Sequence, residues 1–334
     1  MMPRKNKADA PTSSSAIVRK HLICGAGGSR AILGSAGAIY ACDMAGIKEW
    51  ETLGGVSGGS IPTVLLAGGY TPAQLLKYAV ELDFSSLVVR HATPLMTVVA
   101  FLLKDRFEYT RPRQGVLSSD KLGSFINEKV PVWPKNYWTM AVVGRTQIVF
   151  TADGVYQYLR NGHRRVLSNK PADLGVAVRA TCAVPGIIDA VPWDGRYLFD
   201  GALSWDGQCP VDLVSRHFGA THNEIIACDV GEEPSRWEPL VKRFWALACG
   251  GHCISPAKPA DFKGTGVLMM QPAVESVRSL QFTLTVEQKW LAVQSGFAEA
   301  VDELEAAGIL TGDKLKEARV YCKDVNALRE LAAK

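Results

Sequence analysis

The segment Gly55-Val56-Ser57-Gly58-Gly59 sets one hydroxyl among glycines in a G-x-S-x-G pattern. A nucleophile exposed on a sharp strand-to-helix turn leaves no room for β-carbons beside it, which is why Gly55, Gly58 and Gly59 would surround Ser57. A helix beginning just after the turn aims its free N–H groups and positive end at charge developing on a substrate carbonyl. The chemistry such residues suit is acyl transfer to serine. The same pentapeptide also fits an ordinary glycine-rich βα turn, so the rest of the chain must decide.

A second glycine turn lies upstream, Gly25-Ala26-Gly27-Gly28-Ser29-Arg30. A dinucleotide fingerprint needs glycine at the sixth position, where Arg30 stands, and a phosphate-binding loop needs a terminal Gly-Lys-Ser/Thr that is missing. Consecutive glycines between strand and helix also direct backbone N–H groups toward one point, the construction of an oxyanion hole. A serine nucleophile needs a base as well. Asp200 is preferred, because it ends the apolar run Tyr197-Leu198-Phe199 and precedes Gly201-Ala202, again a tight turn. Asp194, Asp206 and Asp212 compete from polar or turn contexts, and any lone aspartate is also explained as a turn residue or helix cap.

The elements needed to position these groups are readable from periodicity. Strands are expected at His21–Cys24 and Trp50–Leu53, with helices over 31–45, closed by Gly46, and from the Ser57 turn to Ala67. Pro62 is expected to remove a hydrogen bond and bend that second helix. Thr71-Pro72 opens a third helix as N-cap and first helical residue. This β-α-β-α order predicts a parallel sheet with helices on its faces. Further on, a helix is expected over 119–128, strands over 138–143, 147–151 and 155–159 with a hairpin at Asp153-Gly154, a helix over 174–184, and strands over 196–199 and 224–230. Val286, Trp290, Val293, Phe297, Val301 and Leu304 share one face of a C-terminal helix.

The 334 residues carry a net charge of +4, 47% hydrophobic and 21% charged residues, which describes a globular protein without the basic, aromatic-laced stretches of a nucleic-acid binder. The eight cysteines, at 24, 42, 182, 209, 228, 249, 253 and 322, lie mostly singly in apolar runs, as buried free thiols do. Cys249-Gly250-Gly251-His252-Cys253 lacks a second ligand pair, so no metal site is expected. Residues 1–20 are expected to form a disordered tail, 21–310 one catalytic domain and 311–334 a helical extension. The stretch 16–23 lacks an apolar core of signal-peptide length, and the apolar run over 92–103 is too short to span a bilayer. A cytoplasmic protein is expected. The segment Leu95–Leu103, followed by Lys104 and Arg106, fits either a surface-lying membrane contact or a buried helix.

Taken together, the motifs resemble those of the patatin-like phospholipases, which include bacterial and neuropathy-target-esterase-like lysophospholipases. That family carries a G-G-x-R/K turn, a G-x-S-x-G elbow and a D-G-G/A turn in this order. Here they read Gly27-Gly28-Ser29-Arg30, Gly55-Val56-Ser57-Gly58-Gly59 and Asp200-Gly201-Ala202. The stretch from Val178 to Gly186 resembles the block before the family's aspartate, and 225–230 the strand after it. Ala26 departs from the pattern by standing where a third glycine is usual, and the first helix is about one residue longer than is common.

The resemblance implies a three-layer α/β/α fold around a central, mostly parallel sheet. It implies a lipid acyl hydrolase with Ser57 as nucleophile, Asp200 as general base and no histidine. The oxyanion would be held by Gly27, Gly28, Ser29 and Gly58, with Arg30 ordering that turn or meeting a phosphate charge. No cofactor or metal is implied, and the partner is a phospholipid or other lipid ester. Two alternatives stay open: a Ser-Asp-His hydrolase drawing on His217, His222 or His252, and a non-catalytic lipid-binding protein of the same fold.

Overall fold

The structure is a computed structural model that describes residues 18–92, 115–144, 146–231, 259–262 and 264–333. The expected membrane-contact segment, the Cys249–Cys253 cluster and most of the N-terminal tail lie outside those residues. In chain order the elements begin with β1 (His21–Cys24), α1 (Gly28–Met44), β2 (Thr52–Gly55), α2 (Ser60–Ala67) and α3 (Pro72–Glu81). A two-residue ribbon, β3 (Val89–Arg90) with β4 (Leu117–Ser118), leads to α4 (Asp120–Lys129). A meander follows, β5 (Tyr137–Val143), β6 (Thr146–Thr151), β7 (Gly154–Tyr158) and β8 (Arg164–Ser168). Then come α5 (Leu174–Thr181), β9 (Val191–Trp193), β10 (Arg196–Asp200), α6 (Val211–Phe218), β11 (Ile225–Cys228) and β12 (Leu268–Met270). The helices α7 (Val286–Ala306), α8 (Gly312–Lys323) and α9 (Val325–Ala332) complete the described chain.

The fold is the expected α/β type. The sheet runs β12-β11-β1-β2-β5 in parallel, then continues antiparallel through β6, β7 and β8. The parallel strands are buried on both faces, as helix-covered sheets require. Leu22 and Cys24 of β1 join the core beneath α1 and α7, while Ile23 between them joins the opposite core with Val211 and Val214 of α6. Strand β11 divides the same way, Ile226 and Cys228 to one side, Ile225 and Ala227 to the other.

Helix α1 is buried along nearly its whole length, from Ser29 to Cys42. Its small residues explain how that is possible. A β-carbon on Gly37 would lie 2.1 Å from the Val293 carbonyl oxygen, and one on Gly296 would lie 2.0 Å from that of Gly34, so α1 and α7 touch backbone to backbone. The apolar face expected on α7 is buried at Trp290, Val293, Phe297, Val301 and Leu304, but Val286 is exposed. As the first helical residue it projects beyond the seam.

Several boundaries differ from those read in the sequence. The α1 helix begins three residues before Ala31 and β2 runs two residues past Leu53, so both glycine turns are tighter than the apolar runs suggest. Pro62 does not break a helical bond. A short 3-10 turn, Ser57–Gly59, precedes α2, which makes Pro62 its third residue, where an amide has no partner within the helix.

The placement that matters most is on β5. Its first half pairs with β2, ending at Gly55 opposite Thr139; its second half, on the same side, pairs with β10, ending at Asp200 opposite Ala141. Since β10 runs antiparallel to β5 and β2 parallel to it, the two strands approach each other end to end. The turn after β2 carries Ser57 and the turn after β10 carries Asp200.

Candidate active site

Ser57 sits at φ 51°, in the left-handed region that costs an L-residue roughly 1–2 kcal/mol. Three close contacts hold it there. A β-carbon on Gly55 would meet Thr63 Oγ1 at 2.2 Å, one on Gly58 the Gly28 carbonyl oxygen at 2.2 Å, and one on Gly59 the carbonyls of Cys24 and Gly25 at 2.4 Å. Each glycine of the turn is therefore demanded by backbone packing, and Gly58 packs directly on the first glycine turn. Ser60 Oγ donates to the Ser57 carbonyl at 2.6 Å.

The segment ending α5 holds both turns. The Ser57 N–H donates to Thr181 Oγ1 at 3.0 Å, and the Asp200 N–H donates to the Ala183 carbonyl at 3.0 Å. The sequence marked this block only as a resemblance; its role as a bridge between Ser57 and Asp200 comes from the fold. Gly201 must be small, since a β-carbon there would lie 2.4 Å from the Met140 carbonyl.

Asp200 is 3% exposed and Ser57 6% exposed. Asp200 Oδ1 accepts the Ala202 N–H at 2.8 Å, whereas Oδ2 is buried and has no hydrogen bond of ordinary geometry among the described residues. The Ser57 side chain is nonetheless close enough to act on the carboxyl. Burial pushes the Asp200 carboxyl up to about 7, against the opposing pull of the Ala202 N–H and the Ser57 hydroxyl. A carboxyl in that state exchanges protons near neutrality, as a general base must. Burial also pushes the neighbouring Cys182 thiol well up, so it stays a neutral part of the wall.

The first glycine turn reaches the same place. Gly27 has φ 148° and Gly28 φ 56°, backbone conformations that favour glycine. Among the described residues, no backbone carbonyl accepts the N–H of Gly27, Gly28 or Gly58. The Ser29 N–H differs: it donates to the Ser279 carbonyl at 2.9 Å, and Ser29 Oγ donates to the Gln281 carbonyl at 2.7 Å. Arg30 is buried beneath the turn, where Nε, Nη1 and Nη2 donate to the carbonyls of Val274, Gly231 and Val230. These bonds tie the first glycine turn to the backbone at 230–231 and at Val274.

Both turns, Ser57 and Asp200 line one cavity of about 570 Å³, within the range of small-molecule sites. Its walls are apolar, with Ile32, Ile61, Phe84, Leu122, Ile187 and Phe282 among them. The segment Arg278–Phe282 covers one side, a strap that local sequence did not point to. No histidine lines the cavity among the described residues. His217 instead pairs with Tyr158 and His222 faces Asp212, while His252 lies outside the described residues. The competing aspartates have other employment: Asp206 accepts from Gln147 and Arg216, and Asp194 from Arg196. No group of three or more metal-ligating side chains occurs among the described residues, and no described helix is long and apolar enough to cross a membrane.

The family model for patatin-like phospholipases matches residues 22–213, over half of the chain. The chain belongs to that family. The match begins at β1, ends in α6 and takes in both glycine turns and Asp200. Family members act on lipid esters, so a lipid acyl hydrolase is the activity at family level. Among solved structures, the chain is similar to VipD from Legionella pneumophila, with TM-score 0.46 and 12% identity, covering 86% of this chain and 67% of that one. No curated protein matches it by sequence.

Proposed function

We propose that this chain hydrolyses lipid carboxylic esters through a Ser57–Asp200 dyad and an acyl-enzyme intermediate. The observation that carries the reading is the meeting of Ser57, strained at φ 51°, with a buried Asp200 whose carboxyl is raised to about 7, at the floor of an apolar cavity. Ser57 Oγ forms a bond to the carbonyl carbon as its proton passes to the Asp200 carboxylate, and the carbonyl π pair moves onto oxygen. The unengaged amides of Gly27, Gly28 and Gly58 are the donors placed to receive that oxyanion; Ser29, with its amide taken by Ser279, serves by fixing the turn. Collapse of the intermediate breaks the ester C–O bond, and Asp200 returns its proton to the departing alkoxide. Water then attacks the acyl-enzyme with Asp200 again as base, releasing the fatty acid.

The apolar walls suit an acyl chain, which would be drawn from a membrane surface by a peripherally bound enzyme of the cytoplasm. The domain itself is taken as residues 21–310, with 311–334 as an extension. The absence of histidine from the described lining favours the dyad over a triad, and the intact turns favour turnover over passive binding. Lipid profiling of wild type beside Ser57→Ala tests this: wild type releases fatty acid and S57A releases none above background. Fatty acid release by folded S57A at the wild-type rate would overturn the reading.

A further inference from the structure

The apolar cavity has two charged residues in its described lining, Asp200 at its floor and Arg278 at its rim. Arg278 is exposed and forms no ion pair among the described residues. Its backbone, by contrast, is held fast. The Arg278 N–H donates to Gln281 Oε1 at 3.2 Å and the Gln281 N–H returns to the Arg278 carbonyl at 3.1 Å, closing a tight turn. That turn is fastened to the oxyanion turn on both sides of Leu280, through Ser279 and Gln281 accepting from the Ser29 amide and hydroxyl. The approach is so close that a β-carbon on Gly28 would lie 1.8 Å from the Ser279 carbonyl oxygen. A fixed backbone therefore presents a guanidinium one residue away from the point where the strap touches Gly28.

A phosphate esterified to the same glycerol lies only a few covalent bonds from a scissile acyl carbonyl. When the carbonyl oxygen lies against Gly27, Gly28 and Gly58, a phosphate on the leaving alcohol must sit near the cavity rim. Arg30 is not placed to meet it, since it is buried beneath the turn, donates from Nε, Nη1 and Nη2 to backbone carbonyls and does not line the cavity. Arginine offers a planar fork that pairs with two phosphate oxygens at once, and the bordering apolar wall lowers the screening such a pair would suffer in open water. We infer that Arg278 is a specificity-determining residue that reads a phosphate on the leaving group, so that the site takes phosphate-bearing acyl esters in preference to neutral ones. This rests on the Ser57 reading above and adds to it a substrate class.

The test compares monohexanoylglycerol phosphate with monohexanoylglycerol as soluble substrates for wild type, Arg278→Ala and Arg278→Lys. Wild type is expected to prefer the phosphate ester, and R278A to lower the ratio of the two kcat/KM values by about tenfold or more, chiefly through KM. R278K should recover part of the ratio. No wild-type preference, or an equal fall on both substrates in R278A, would overturn the inference while leaving the Ser57 chemistry intact. If wild type hydrolyses neither ester, the Ser57 reading fails, and calorimetric titration with hexyl phosphate decides the inference separately. Weaker binding by R278A supports it, and equal binding by both proteins overturns it.

Discussion

Glycines bring backbone against backbone in two parts of this molecule, the α1–α7 seam and the floor of the cavity, and the two contacts serve different ends. In the seam, Gly37 and Gly296 lie in the interiors of the regular helices α1 and α7, away from the unpaired helix ends, so closeness there is packing. On the cavity floor, Gly27 and Gly28 have positive φ, Gly58 abuts Gly28, and all three keep amides without a backbone acceptor among the described residues. That arrangement gives up hydrogen bonds and accepts strain at Ser57, which is how a site holds groups ready for a reacting atom. Smallness maintains the fold in one region and exposes polar backbone in the other.

Alanine substitutions separate the two uses. Gly58→Ala drives a β-carbon toward the Gly28 carbonyl and spreads the turns apart; a displacement near 1 Å costs about 10²-fold in kcat/KM. Gly37→Ala drives one toward the Val293 carbonyl and is expected to cost ~1–3 kcal/mol of stability by overpacking, with kcat/KM of the folded fraction retained. Denaturant titration beside steady-state kinetics reads both. The contrast breaks if G37A loses as much kcat/KM as G58A.

The pH dependence of stability singles out Asp200. Its carboxyl is raised to about 7 in the fold from an ordinary value near 4, so between those values the folded state holds a proton that the unfolded chain has released. The contribution of Asp200 to stability then falls as pH rises from about 4 to about 7, by a few kcal/mol at ~1.4 kcal/mol per tenfold. Asp200→Asn lacks this dependence, so its stability relative to wild type is expected to increase between pH 5 and 8. Parallel pH–stability curves would show that the carboxyl is not held in the apolar setting described.

What was legible in the sequence follows from the range over which each constraint acts. Ser57, Asp200 and the glycines beside them announce themselves because a tight turn restricts residue type locally. Thr71-Pro72 is legible for the same reason: Thr71 caps α3 and Pro72 opens it, and the structure adds a capping box with Gln74. Strand β8 was not, because Arg164, Arg165 and Val166 are exposed on an edge and carry no alternating pattern. The strap Arg278–Phe282 was illegible too: its bonds to Ser29 link residues some 250 positions apart, and nothing within 278–282 encodes them. The amide of Ser29 was expected among the oxyanion donors, and only the strap reveals that it is taken.

The most direct test of the central claim is the rate of fluorophosphonate labelling at Ser57 as a function of pH, in wild type and D200N. If Asp200 is the base that activates Ser57, labelling of wild type rises with pH through about 7 as the carboxyl ionises, and D200N labels slowly at every pH. Equal labelling of the two proteins, or modification at another serine, would contradict the account.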